Sequence, residues 1–144
     1  MKGSSEFQFV DTNVLVYAHD VSAGFKYEQA QALLGRLWES GNGCLSIQVL
    51  QEFYVVVTRK VAKPLHPDRV SPIINSLGKW SVHSPTVDDL QAAISLQSRY
   101  GISFWDAMIV RSAVRLGCLT LWSEDLNAGQ RYENLVVANP FQSS

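Results

Sequence analysis

Four acidic residues lie in apolar stretches of the sequence, where a carboxylate needs an explanation. Asp11 follows the run FQFV, and Glu52 lies within SIQVLQEFYVVV. Asp106 lies within SFWDAMIV, and Asp125 lies within LWSEDLN. A charged group is costly to bury unless a partner compensates it, and no lysine or arginine lies within one helical turn of Glu52. We therefore take these four acids as the candidate catalytic residues.

Carboxylates brought together repel one another, which raises their pKa values or requires a cation. Oxygen ligands without sulfur or imidazole favour Mg²⁺ or Mn²⁺ over zinc. Such an ion can activate water for attack on a phosphodiester. The chain has a formal net charge of −1 and a pI near 6.3, so it lacks a basic surface that binds nucleic acid by charge alone. A bound metal would supply the missing positive charge.

Three of these acids also have an ordinary structural interpretation. Residues 11–13, with the sequence DTN, could simply turn the chain or cap a helix. Ser103 and Asp106 have the spacing of a capping box, in which the acid accepts a hydrogen bond from the backbone N–H of the cap residue. Asp125 could cap a following turn. The sequence alone leaves both interpretations open for these positions.

Segments with strand and helix patterns alternate along the chain. Apolar strands are predicted at FQFVD, at a short run before Ser46, and at WSVH, CLTLWS and NLVVAN. Helices are predicted at KYEQAQALLGRLWES, after Ser46, from Pro67, at TVDDLQAAISLQSRYG and at SFWDAMIVRSAVRLG. This alternation predicts an α/β fold with a mainly parallel sheet covered on both faces. Ligands of such sheets bind at the carboxyl ends of the strands, where Asp11 and Asp125 are expected.

Length and composition predict one domain. The chain has 144 residues, of which 47% are hydrophobic, enough to fill a single core. We expect the domain to span residues 7–144, with residues 1–6 as a tail or a cloning remnant. The apolar runs are far shorter than a membrane span, which predicts a cytoplasmic protein. Cys44 and Cys118 have no metal-ligand spacing, so we interpret them as small buried hydrophobes.

Four motifs in order, FVDTNVLVYA, SIQVLQEFYVVVTRK, ISFWDAMIVRSAVRLG and LWSEDLNAGQ, resemble those of the PIN-domain ribonucleases, in particular VapC-like toxins of toxin–antitoxin pairs. The resemblance runs from about residue 7 to residue 141. It implies a PIN-like, Rossmann-like three-layer α/β/α sandwich. It also implies metal ligation by Asp11 and Asp106, with Glu52 and Asp125 completing the four catalytic acids.

The resemblance further implies that Thr12 and Ser123 hold the site or a metal-bound water, and that Asn13 orients another residue of the site. The implied activity is Mg²⁺-dependent cleavage of RNA, with Mn²⁺ as a possible substitute. The implied partners are a cognate antitoxin protein and a second copy of the chain in a homodimer. The sequence departs from many members at one position, because Ala128 stands where another Asp follows three residues after Asp125.

Two other functions fit parts of the sequence. One is a catalytically weak PIN-like domain that binds RNA or a partner without cleaving it, which the loss of an acid at Ala128 favours. The other is a Mg²⁺ phosphatase of a different α/β family. The D-x-D nucleophile motif of such phosphatases is absent, since Asn13 occupies the second acidic position.

Two aromatic and two basic residues near the motifs could contact RNA. Trp105 and Trp122 flank Asp106 and the SED segment and could stack on bases, although core packing is the expected role of both. Arg111 and Arg115 lie four residues apart on one predicted helix. They could bind phosphate or an antitoxin, or they could form a solvated face.

Overall fold

The computed structural model describes residues 7–142 and contains six strands and six α-helices within them. In chain order they are β1 (Gln8–Val10), α1 (Thr12–Tyr17), α2 (Phe25–Ser40), β2 (Gly43–Ser46), α3 (Ile47–Arg59), α4 (Pro67–Leu77), β3 (Ser81–His83), α5 (Val87–Tyr100), α6 (Phe104–Arg115), β4 (Thr120–Trp122), β5 (Arg131–Tyr132) and β6 (Leu135–Ala138). A short 3-10 helix, Val21–Ala23, precedes α2. The predicted N-terminal tail, residues 1–6, lies outside the described residues.

The strands form one sheet in the order β3-β2-β1-β4-β6-β5. All neighbouring strands pair in parallel except β5, which runs antiparallel to β6. The chain adds β2 and β3 on one side of β1 and then returns to add β4 on the other side. The strand order therefore reverses beside β1, and ligands of such sheets bind at that point, outside the carboxyl ends of the strands.

The strands are apolar on both faces because helices cover both sides of the sheet. Phe9, Val10, Leu45 and Leu121 are completely buried. The predicted three-layer α/β/α class is confirmed. Both cysteines are buried as free thiols, as their interpretation as small hydrophobes requires. Within residues 7–142, every helix is too short or too polar to cross a bilayer.

Polar residues at the helix ends fix where the helices begin. Ser46 is the last residue of β2 and caps α3 by accepting a hydrogen bond from the Val49 N–H at 3.3 Å. Thr86 and Asp89 form a complete capping box at the start of α5. The middle of α3 is rich in β-branched residues, yet it is helical because Val49, Phe53 and Val57 recur at helical spacing and are all buried.

Candidate active site

The four candidate acids line one cleft of about 340 Å³ at the carboxyl ends of β1 and β4. Asp11 immediately follows β1 and is the N-cap of α1. Glu52 projects from α3, Asp106 lies in the first turn of α6, and Asp125 lies in the loop after β4. The structure thus brings together all four acids that the sequence singled out.

Asp11 is the most deeply buried of these acids, with 6% of its surface exposed. Its Oδ1 accepts a hydrogen bond from the Thr12 N–H at 2.7 Å, and its Oδ2 accepts one from the Ser123 hydroxyl at 2.8 Å. Burial raises the pKa of Asp11 to about 6, the two hydrogen bonds oppose that rise, and the charges of Asp125 and Asp106 add to it. A cation in the cleft would favour the ionised form of Asp11.

Glu52 is held at both carboxylate oxygens. Its Oε1 accepts a hydrogen bond from the Thr12 hydroxyl at 2.6 Å, and its Oε2 accepts one from the Gln48 amide at 3.1 Å. The same amide nitrogen of Gln48 donates to the Trp105 carbonyl at 3.3 Å, which links α3 to α6. The sequence analysis missed Gln48, although its position four residues before Glu52 places both on one face of a helix.

Asp106 makes only half of the capping box that the sequence allowed. Its backbone N–H donates to the Ser103 hydroxyl at 3.0 Å, whereas at α5 both halves of the box are present. The carboxylate of Asp106 instead lines the cleft. Its charge raises the pKa of both Asp11 and Asp125, so the Asp106 carboxylate lies close enough to act on the other acids.

Asp125 accepts a hydrogen bond from the Asn13 amide at 2.5 Å. Burial raises the pKa of Asp125, the charges of Asp106 and Glu124 raise it further, and the bond from Asn13 opposes them. It does not cap the turn that follows, because the Leu126 N–H donates to a different residue, Ser123.

Thr12, Asn13 and Ser123 each donate a hydrogen bond to a different candidate acid. Thr12 donates to Glu52, Asn13 to Asp125, and Ser123 to Asp11. Ser123 is completely buried, so its hydroxyl orients a carboxylate and the loop rather than a water molecule in the cleft.

A second cluster anchors the loop that carries Ser123 and Asp125. Between them lies Glu124, which accepts a hydrogen bond from the Tyr17 hydroxyl at 2.9 Å. Glu124 also forms an ion pair with Lys26 of α2. The sequence gave no sign of these contacts, since their partners are 107 and 98 residues away along the chain.

Trp122 and Trp105 differ in their environments. Trp122 packs against the core and donates its indole N–H to the Gln8 side chain at 2.7 Å, as expected. Trp105 is 63% exposed and lines the cleft, so the expectation of core packing was wrong for it. It is the second residue of α6 and points away from the apolar face of that helix, which the helical register alone could have indicated.

Arg111 makes a contact within the fold that the sequence analysis did not include. Its Nε donates to Asp89 Oδ1 at 2.8 Å, and its side chain is only 25% exposed. Asp89 is almost completely buried and also accepts hydrogen bonds from the Thr86 N–H at 2.8 Å and from the ring of His83 at 3.1 Å. Arg111 is therefore part of a buried ionic cluster that joins β3, α5 and α6. Arg115 is exposed, as a solvated face requires.

The donor atoms of the cleft fit Mg²⁺ better than zinc. Among the His, Cys, Asp and Glu side chains of residues 7–142, no three converge into a ready set of metal ligands. A structural zinc site needs such a closed set, whereas Mg²⁺ retains several waters and uses one or two carboxylates together with substrate phosphates. Asp11 and Asp106, whose charges already act on each other, provide such a pair.

Comparison with known proteins was made for both sequence and structure. The family model for the PIN domain matches residues 9–133. No curated protein sequence matches the chain. A toxin–antitoxin complex from Klebsiella pneumoniae is similar in structure, with a TM-score of 0.69 and 16% identity over 94% of this chain and 99% of that chain.

Two further structures share the fold. VapC20 from Mycobacterium tuberculosis, described as a toxin that cleaves the sarcin–ricin loop, has a TM-score of 0.63 and 20% identity over 82% of this chain and 89% of its own. A DNA-bound VapBC from Salmonella typhimurium has a TM-score of 0.63 and 15% identity over 94% of this chain and 98% of that chain. The reversal of strand order beside β1, the acidic cleft and the match over residues 9–133 place the chain in the PIN-domain family.

Proposed function

We propose that this chain is a magnesium-dependent endoribonuclease that acts as the toxin of a toxin–antitoxin module. The observation that carries the proposal is the convergence of Asp11, Glu52, Asp106 and Asp125 on one cleft in a chain of the PIN-domain family. The similarity to toxin structures supports the assignment as a toxin.

Asp11 and Asp106 would hold the metal. When bound, Mg²⁺ supplies positive charge that attracts the phosphodiester and lowers the pKa of water in the cleft. Ser123 and the Thr12 N–H keep the Asp11 carboxylate in a fixed orientation. Glu52 is fixed by its own two hydrogen bonds. The carboxylates of Asp11 and Glu52 therefore need little rearrangement before the reaction.

Asp125 is the acid to which we assign the acceptance of a proton during the reaction. A general base works best when its pKa lies near the operating pH, and burial together with the charges of Asp106 and Glu124 raises the pKa of Asp125. As the water oxygen forms a bond to phosphorus, its proton passes to Asp125, the bond from phosphorus to the leaving ribose oxygen breaks, and that oxygen takes up a proton from the solvent. Asn13 holds the carboxylate in place for this transfer.

The proposal includes two protein partners, a cognate antitoxin and a second copy of the chain. Two of the similar structures are a toxin–antitoxin complex and a VapBC complex, which supports an antitoxin. Val87, Leu90 and Ile94 form an apolar stripe along α5 and are 68%, 40% and 54% exposed. Such a stripe on the exposed face of α5 favours contact with another protein surface, which supports a homodimer.

Cleavage of labelled RNA by the purified chain tests the catalytic part of the proposal. We expect cleavage with Mg²⁺ or Mn²⁺ and none with excess EDTA, because none of the side chains that line the cleft can activate water as a bound metal ion does. Glu52→Gln should lose most of the activity and keep its fold, since shape is retained and one charge is lost. Glu28→Gln, on the exposed side of α2, is the matched control and should keep full activity.

The same experiment separates the competing functions. Undiminished cleavage in EDTA would rule out the metal mechanism. Binding of RNA without cleavage under any metal would favour the catalytically weak PIN-like domain, which the missing acid at Ala128 makes the second candidate. Circular dichroism of Glu52→Gln checks that a lost activity does not reflect a lost fold.

A further inference from the structure

Trp105 and Lys60 are two residues of the cleft that the proposed chemistry does not use. Both line the same cleft as the four acids. Trp105 comes from the first turn of α6, beside Asp106, and Lys60 caps the C-terminal end of α3. Base stacking was one of the two roles that the sequence offered for Trp105, whereas a basic residue such as Lys60 is ordinary at the C-terminal end of a helix.

The Trp105 ring is available to a ligand. It is 63% exposed, although indole is one of the largest apolar side chains and gains most from burial. The ring contacts Phe104 edge-to-face, with 5.1 Å between the ring centroids. The Trp105 carbonyl accepts a hydrogen bond from Gln48. The backbone next to the ring is therefore fixed relative to Glu52, which the same Gln48 amide holds.

Lys60 provides positive charge at the other end of the cleft wall. Gln48, Glu52, Val56 and Lys60 recur every four residues along one face of α3 and all line the cleft. A rise of 1.5 Å per residue separates the backbones of Glu52 and Lys60 by about 12 Å. Among residues 7–142, Lys60 is the one cation lining this cleft, and none of the described ion pairs includes it.

A second depression adjoins the acidic cleft along α3. It has a volume of about 250 Å³, is lined by Gln51 and Val55, and shares Glu52, Val56 and Lys60 with the acidic cleft. A ligand longer than one phosphodiester can therefore extend from the acids along α3. An aromatic face and a cation along such a path are the two elements with which proteins bind single-stranded nucleic acid.

We propose that Trp105 stacks on an unpaired base of the RNA next to the cleaved bond and that Lys60 contacts a neighbouring phosphate, so that together they position the strand across the acids. This inference rests on the proposed ribonuclease function. Trp105 and Lys60 are positioning residues, and the four acids carry out the reaction. Stacking requires a base that is free of its duplex partner, so the site takes RNA that is single-stranded at the point of cleavage.

The test of Trp105 is a set of three variants in steady-state cleavage of a labelled single-stranded RNA. Loss of base stacking should raise KM for Trp105→Ala by about 10- to 100-fold, with a smaller change in kcat. Trp105→Phe should restore most of the binding, because it keeps an aromatic face. Trp105→Leu keeps apolar volume without the ring and should behave like the alanine variant. Equal KM values for the leucine and phenylalanine variants would overturn stacking.

The test of Lys60 is the salt dependence of binding, measured by fluorescence anisotropy in Ca²⁺ with a random-sequence single-stranded RNA of about 12 nucleotides. Removing one phosphate contact in Lys60→Gln should reduce the slope of log Kd against log salt by about 0.7. Lys79→Gln is the control, since Lys79 is exposed in the turn before β3 and lies outside the cleft. An unchanged slope for Lys60→Gln would remove Lys60 from the RNA path.

The remaining outcomes distinguish this inference from the function on which it rests. A wild-type chain that neither cleaves nor binds RNA overturns both. A wild-type chain that cleaves, with Trp105→Ala unchanged in KM, overturns the inference alone. Light scattering is recorded for each variant: a Trp105→Ala chain that keeps its KM but loses a dimer seen in the wild type assigns Trp105 to a subunit contact instead.

Discussion

At the scale of single residues, repulsion among the acids adds to the effect of burial on the pKa values of Asp11 and Asp125. The charge of Asp106 raises the pKa of both Asp11 and Asp125. Repulsion between the ionised acids destabilises the fold, and other interactions must offset that loss of stability. Hydrogen bonds from Ser123, Thr12 and Asn13 compensate part of it. A group that favours function at the expense of stability is common at active sites.

Asp106→Asn should separate catalysis from stability. We expect it to abolish cleavage, because it removes a proposed metal ligand. Without metal, the variant should melt at the same or a higher temperature than the wild type, since it loses the like-charge repulsion between Asp106 and the neighbouring acids. Added Mg²⁺ should raise the melting temperature of the wild type by mass action and that of Asp106→Asn much less.

Thermal unfolding followed by circular dichroism, with and without Mg²⁺, measures both effects on the same samples. If the only role of Asp106 were to stabilise the N-terminal end of α6, the variant would melt at a lower temperature, because it loses a charge that interacts with the helix dipole and contributes about 0.3–1 kcal/mol. It would then respond to Mg²⁺ like the wild type and still cleave RNA. That pattern would assign Asp106 to the scaffold.

Individual side chains were predictable to different degrees. The sequence pointed to all four acids because each is out of place in an apolar segment. It offered cap and ligand as alternatives for Asp11, and the structure shows that Asp11 caps α1 and lines the cleft. The contacts of Glu124 and the burial of Arg111 could not be predicted, because each depends on a partner brought near by the fold rather than by the sequence.

At the scale of elements, the predicted helices from α2 to α6 and the strands β1 to β4 and β6 are confirmed. Their cap residues and helical periodicity are strong local signals. The sequence analysis missed α1 and β5. The segment TNVLVY is β-branched and apolar, which favours a strand, but burial of Val14, Leu15 and Val16 and the Asp11 cap make it helical. The two residues of β5 are too few for a sequence pattern.

Asp89 holds three elements together, and its replacement should reveal this. Burial alone would raise the pKa of Asp89, but hydrogen bonds from Thr86 and Arg111 and the charge of His83 lower it to about 2. A carboxyl whose folded pKa lies below its unfolded value stabilises the fold above that unfolded value, near pH 4, and loses this contribution as the pH falls towards the folded pKa.

Asp89→Asn should therefore cost about 2 kcal/mol in the free energy of unfolding near pH 7. The difference from the wild type should shrink between about pH 4 and pH 2, as the wild-type carboxyl becomes protonated. Urea unfolding at a series of pH values measures this difference in the free energy of unfolding. Asp88→Asn changes an exposed acid in the same helical turn and should cost no more than about 1 kcal/mol. Equal losses in the two variants would contradict the role of Asp89.

At the scale of the whole molecule, the site depends on contacts between distant parts of the chain. The Ser123 hydroxyl donates to Asp11, 112 residues away, and accepts the Leu126 N–H at 3.2 Å. Ser123→Ala leaves the buried Asp11 oxygen without this donor. A hydrogen bond to a charged group contributes about 1.5–3 kcal/mol, so we expect a loss of that size in the free energy of unfolding at pH 7.

Loss of the Ser123 bond should also raise the pKa of Asp11, because that bond opposes the effect of burial. In the plot of cleavage rate against pH, the acidic limb should then move to higher pH in Ser123→Ala. Urea unfolding and a pH–rate profile measure the two effects. Ser71→Ala, at an exposed position of α4, should change stability by less than about 0.5 kcal/mol. A Ser123→Ala variant as stable as this control would show that the bond contributes nothing.

The separation of Asp11 from Ser123 along the chain also affects how the protein is made. Ribosomes add about 5–20 residues per second, so roughly 6 to 22 seconds pass between the synthesis of β1 and that of β4, 112 residues later. By the end of that interval three of the four acids exist, but β4, which pairs with β1, and β6, which pairs with β4, do not. The nascent chain therefore cannot assemble its cleft early. For a proposed ribonuclease, late assembly protects the messenger from which it is being translated.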